Sequence, residues 1–119
     1  MFINYSHHPS SAWEEEQLSA AKQYGEVEDL QFPDVPPYAD TEAIMKMAEC
    51  QVQLIAQKCP KAVMCQGEMT MVYHVVRLLK EQGIPVLCAC TERVSCEYLL
   101  ENGIKEKRSQ FRFVQFRPY

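Results

Sequence analysis

The sequence predicts an α/β fold: four parallel strands in the order 2-1-3-4, with helices on both faces and a C-terminal antiparallel β-hairpin. Three observations carry this. Strand-like segments at Phe2–Tyr5, Val27–Phe32, Ala62–Cys65 and Pro85–Cys90 alternate with segments of helical periodicity, the pattern of a sheet built by right-handed crossovers. The run Ala62–Cys65 is apolar at every position, as a strand covered on both faces must be. Asn102-Gly103 sits between two extended segments and is a strong hairpin signal, because Asn-Gly supplies the positive φ of a type I′ turn.

Each element has its own justification. Ser10 or Ser11 can cap a first helix with Glu14, Glu15 and Glu16 in its opening turn, and Gly25 stops it after Trp13, Leu18, Ala21 and Tyr24 recur at helical spacing. Pro33, Pro36 and Pro37 remove donors and fix φ, so 33–38 reads as a surface loop. Thr41 is a plausible N-cap for a second helix, whose stripe of Ile44, Met47, Ala48, Val52, Ile55 and Ala56 ends before Pro60. A third helix runs from Met69 to Gln82, with Gly83 as its stop. Pro85 opens the fourth strand, where a missing donor is tolerated. The tail from Phe111 to Arg117 extends the second arm of the hairpin. No repeat or linker interrupts the chain, and residues 1–119 read as one domain.

Composition narrows the function classes. The 119 residues carry 12 basic and 16 acidic side chains, a net charge of -4, and 47% hydrophobic content. One core of this size needs no disulfide or metal staple. No apolar run is long enough to span a membrane and the opening residues lack a leader pattern, so the expected setting is the cytoplasm, away from membranes. Six cysteines without a C-x-x-C pair suit buried, reduced thiols. Residues 13–49 hold ten acids against Lys22 and Lys46, whereas 105–117 hold five bases against Glu106. Such a chain is a poor binder of duplex DNA, but a local basic cleft could hold a small anion.

Chemistry is expected outside the carboxyl ends of the strands, where the strand order reverses. Ser6, His7 and His8 follow the first strand there, Gln66, Gly67, Glu68 and Thr70 follow the third, and Thr91 and Arg93 follow the fourth. Gly67 at a strand–helix junction would let a phosphate approach free N–H groups of the helix, or would merely permit a tight turn with Glu68 complementing the dipole. His7 and His8 face opposite ways in an extended segment, so they cannot easily share a metal; either can move a proton or sit idle on the surface. Arg93 has the planar fork that binds two phosphate oxygens, unless Glu92 or Glu97 takes it as an ion pair. Dinucleotide, P-loop, zinc-protease and nucleophile-elbow motifs are absent, so no cofactor and no metal is expected.

The opening Phe-Ile-Asn-Tyr-Ser-His, the segment Met64-Cys65-Gln66-Gly67-Glu68, the triplet Thr91-Glu92-Arg93 and the closing Phe-Arg-Phe-Val-Gln-Phe-Arg-Pro-Tyr together resemble small CRISPR-associated proteins of the Csx type. The resemblance implies a single Rossmann-like domain, a three-layer sandwich, of the ring-nuclease group. Such proteins cleave cyclic oligoadenylate, switching off type III CRISPR signalling, typically without metal and across a homodimer. The ribose 2′-hydroxyl attacks its own phosphate in line, so the protein need only align the nucleophile and stabilise charge.

Carried over, His7 or His8 would serve the 2′-hydroxyl and Arg93 the transition state. Ser6, Gln66, Gly67, Glu68, Thr70 and Thr91 would line the ligand site. Two other expectations stand beside this one: a sensor that binds a cyclic nucleotide without cutting it, and an adaptor that pairs its basic last strand with a partner's sheet edge.

Overall fold

The computed structural model describes residues 1–119. Five strands form one mixed sheet: β1 (Phe2–Ser6), β2 (Val27–Gln31), β3 (Ala62–Cys65), β4 (Val86–Leu99) and β5 (Lys105–Pro118), in the order β2-β1-β3-β4-β5. β1 pairs in parallel with both β2 and β3, and β5 runs antiparallel to β4. The layout is Rossmann-like, with a correction to the expected four-stranded parallel sheet. β4 joins its parallel neighbour only through Val63↔Val86 and Met64↔Leu87, so the parallel core proper is β2, β1 and β3.

Alternation across β1 and β3 feeds two cores, as a pleated strand requires. Ile3, Tyr5, Val63 and Cys65 face α2 (Thr41–Gln57) and α3 (Met69–Glu81), meeting Ile44, Ile55, Met71 and Leu79. Phe2, Ala62 and Met64 face the other way, against Ala21 of α1 (Glu15–Lys22) and, partly buried, Trp13 and Phe116. Tyr5 is fully buried and donates its hydroxyl to Gln51 Oε1 at 2.8 Å; burial, with the nearby Cys65, holds that proton well above the usual tyrosine range. Burial likewise pushes the Cys65 thiol up to about 12. The thiols are not uniformly buried as expected, because Cys50 and Cys59 are exposed.

Helix starts differ from the sequence reading in instructive ways. Ser10–Ala12 forms a short 3-10 turn, and α1 begins only at Glu15. The carboxylate of Asp40, not Thr41, caps α2, accepting from the Ala43 N–H at 2.8 Å. The second shift is one residue, within the usual uncertainty of helix boundaries, whereas the first is three or four residues because the 3-10 turn intervenes.

The largest correction concerns residues 86–118. The expected fourth strand and the first arm of the hairpin are one continuous 14-residue strand, paired with β5 from Leu87↔Pro118 to Leu99↔Lys105. Register shifts by one residue at Cys90/Thr91, leaving Val114 as the extra residue of a bulge. The turn is not type I′, because only Gly103 has positive φ (81°) and Asn102 does not. Gly103 N–H donates to Leu100 C=O and Leu100 N–H to Ile104 C=O, the three-residue loop with glycine in the left-handed position.

Candidate functional site

The carboxyl ends of β1 and β3 and the middle of β4 open onto a crevice of about 420 Å³. Ser6, His7 and His8 line it from β1, Gln66 and Gly67 from β3, and Thr91 from β4. Register explains the convergence: Tyr5 lies opposite Cys65 and the Gln66 N–H donates to Tyr5 C=O, so both chains leave the sheet side by side. The far wall comes from Trp13, Glu14 and Gln17, and from Phe111 and Phe113 on β5.

A polar network shapes the loop after β1. Asn4 is 1% exposed, and its amide Nδ2 donates to His8 C=O at 2.7 Å and to Asp29 Oδ1 at 2.9 Å. Its Oδ1 accepts from the Ser6 hydroxyl at 2.7 Å, and both Asp29 oxygens accept from the Ser10 N–H at 3.1 Å. Partial burial pushes the Asp29 carboxyl up, but the hydrogen bonds from Asn4 and Ser10 outweigh it and hold the group below the usual carboxylate range. Ser6 is therefore a structural member of this network, and its hydroxyl proton is already committed. His7 packs its ring on Phe32, with centroids 5.4 Å apart, and its Nδ1 accepts from the Gln31 amide at 3.3 Å. With Nδ1 accepting, the neutral tautomer that fits carries its N–H on Nε2. The His8 ring makes no hydrogen bond within the chain.

Four residues expected at the ligand, Glu68, Thr70, Gly67 and Arg93, take other roles. Glu68 is the N-cap of α3: its carboxylate accepts from the Thr70 hydroxyl at 2.6 Å, the Thr70 N–H at 3.1 Å and the Met71 N–H at 2.8 Å. Those bonds hold its carboxyl below the usual range, the Thr70 hydroxyl foremost. The first turn of α3 thus carries its own anion and is closed to a phosphate. Thr70 belongs to this cap, and the hollow it borders lies between α2 and α3, away from the crevice.

Gly67 answers to packing. A Cβ there would stand 2.5 Å from Cε1 of Phe32, so only glycine lets that buried ring close under the junction. Arg93 lies inside β4, exposed and opposite Phe111, and does not line the crevice. Glu92 is likewise in the strand, opposite Arg112. The expected loop at 91–93 fails because the strand continues through it.

The crevice wall consequently carries no lysine or arginine, two histidines and the carboxylate of Glu14. Gln66 spends its Oε1 on the Ala89 N–H at 3.1 Å, leaving its amide hydrogens free; Gln17 places its Nε2 3.8 Å from Met64 Sδ, leaving its oxygen free. No group of three or more His, Cys, Asp or Glu side chains comes together as a metal set. A larger hollow of about 940 Å³ lies outside α3 between Met69, Tyr73 and Tyr119, mostly apolar and sharing only Gln66 and Gly67 with the crevice. No helix is long and apolar enough to cross a membrane.

Sequence reasoning missed Asn4, Asp29, Trp13, Gln17, Phe111 and Phe113. Asn4 carried a signal, a lone amide inside an apolar strand, which must be satisfied when buried. The two phenylalanines carried none, because their approach depends on where the long ribbon returns.

Fold and crevice together define the class: an open α/β sheet with a crevice at the ends of its first and third strands. The chain belongs to the Uncharacterized protein MJ1673 family, whose model matches residues 1–117. No curated protein matches its sequence.

Proposed function

We propose that this chain is a ligand-binding domain whose crevice receives an adenylate unit of a cyclic oligoadenylate, the ligand class that the Csx-type resemblance implies. The observation that carries the reading is the convergence of Ser6–His8, Gln66, Gly67 and Thr91 on one hollow with an aromatic far wall. Its volume, about 420 Å³, suits about one nucleotide on the scale of small-ligand sites. Trp13, Phe111 and Phe113 offer surfaces for an adenine. The free amide groups of Gln66 and Gln17 supply a donor and an acceptor for its edge. The His7 Nε2–H is a donor for a phosphate oxygen.

Ring opening is the second reading, and the unpartnered His8 favours it. His8 would take the 2′-hydroxyl proton as that oxygen bonds to the adjacent phosphorus, and the 5′-oxygen would leave, taking a proton from water. The products would be a 2′,3′-cyclic phosphate and a free 5′-hydroxyl. Binding ranks first because no cation lines the crevice to stabilise the transition state, the role expected of Arg93.

The test is calorimetry and product chromatography with cyclic tetra-adenylate in EDTA. Retention without products, abolished in Gln66→Ala, supports the first reading. Linear products lost in His8→Ala support the second. Neither retention nor products overturns both.

A further inference from the structure

Beyond Ala89 the outer edge of β4 has no neighbour. Odd-numbered residues of the strand point their backbone groups away from β5: Pro85 C=O accepts from Val63, and Ala89 N–H donates to Gln66. Even-numbered residues point towards β5, since Val86 C=O accepts from Tyr119 and Leu100 N–H donates to Ile104 C=O. Because β3 reaches β4 only at Val86 and Leu87, the N–H and C=O groups of Thr91, Arg93, Ser95, Glu97 and Leu99 face out with no strand beside them.

The two edges of the ribbon are unlike. β5 carries Lys105, Lys107, Arg108, Arg112 and Arg117 and ends in Pro118, the devices that keep an edge from pairing. Residues 91–99 of β4 carry only Glu92, Arg93 and Glu97 among side chains suited to a strand. A two-stranded ribbon standing alone is at best marginally stable, yet this one is long and leaves Leu99 and Phe111 largely exposed.

We infer that two copies of this chain pair through the β4 edge, antiparallel, about a twofold axis at Ser95. In that register Arg93 of each copy lies opposite Glu97 of the partner subunit, and Val94 opposite Cys96 of the partner subunit. Thr91 lies opposite Leu99 of the partner subunit. Odd residues meet odd residues, so all five outward-facing positions form hydrogen-bonded pairs, about ten backbone bonds. Moving the axis by one residue loses the Arg93–Glu97 pairs. Moving it by two sets Arg93 or Glu97 against its own copy, a like-charge contact. Neither side chain makes an ion pair within its own chain, so both charges are available. The contact is self-complementary, as a closed dimer requires.

Thr91 borders the crevice, so the pairing brings Leu99 of the partner subunit to its rim. The two Thr91 residues stand about 27 Å apart along the strands, eight residues at about 3.4 Å each. Each crevice then takes its own ligand; this dimer does not form the shared cleft that the resemblance implies. The pairing holds whatever the crevice binds.

Sedimentation equilibrium of the full chain without ligand tests it. The chain should be a dimer. Arg93→Glu and Glu97→Arg should each raise the dissociation constant more than about tenfold, and the double variant should restore it to within about threefold. Ser95→Pro removes an outward N–H and no β4–β5 bond, so it should abolish dimerisation while the circular dichroism spectrum stays unchanged. A chain that is monomeric at every concentration, or a dimer indifferent to both charge reversals, overturns the inference.

Discussion

Replacing Gly67 by alanine separates packing from ligand approach as the reason for that residue. The added Cβ would meet Phe32 Cε1 at 2.5 Å, and Cδ1 and Cζ at 2.6 Å, against the roughly 3.5–4.0 Å of an ordinary carbon contact. The ring must retreat by about 1 Å, yet it is 1% exposed and lies 4.9 Å from the buried Tyr5 ring. Overpacking of this kind costs about 1–3 kcal/mol. Gly→Ala returns roughly 0.4–1 kcal/mol by restricting the unfolded chain. The net expectation is a loss of about 1–2 kcal/mol, or about 4–8 °C in Tm.

Urea denaturation followed by circular dichroism measures this loss. The same experiment in a Phe32→Leu background tests the cause, because a smaller side chain vacates the space and Gly67→Ala should then cost less than about 0.5 kcal/mol. Full stability in Gly67→Ala, or an equal cost in both backgrounds, would refute the packing argument and return Gly67 to the ligand.

Two further outcomes follow from the capping and loop networks. Glu68→Ala should cost about 0.5–1 kcal/mol in urea denaturation, the low end for a cap because the position is exposed, and should open the first turn of α3 to inorganic phosphate, read as chemical-shift changes at Thr70 and Met71. Asp29 has a depressed carboxyl, so its stabilisation of the loop after β1 is complete above the unfolded carboxylate range near pH 4 and is lost as pH falls through the lower folded value; protection of the Ser10 amide from hydrogen exchange should fall in that window, and should already be low at neutral pH in Asp29→Ala.

Much of the fold was legible because hydrophobic periodicity reports burial directly. Ala62–Cys65 could only be a strand covered on both sides, and it is one, buried at all four positions. The candidate site was legible in part: Ser6, His7, His8, Gln66 and Gly67 meet at one crevice because the parallel strands β1 and β3 release their chains at the same end, and Thr91 borders it from within β4, which runs on past them. Arg93 illustrates the limit. The apolar run ends at Cys90, which reads locally as a strand end, but pairing with β5 carries the strand on to Leu99. Glu68 illustrates another, since a carboxylate beside a helix start can repel a ligand or replace it, and only side-chain geometry distinguishes the two.

The amino-acid sequence by itself determined the alternation of strands and helices and the hairpin near Gly103, because each rests on local conformational preference and on which face of an element is apolar. Tertiary structure alone decided that Gly67 serves Phe32, that Glu68 occupies the α3 terminus, that Asn4 ties down the histidine loop, and that β4 projects beyond its parallel neighbour with an open edge. Those outcomes depend on contacts between residues far apart in number, which no local pattern encodes.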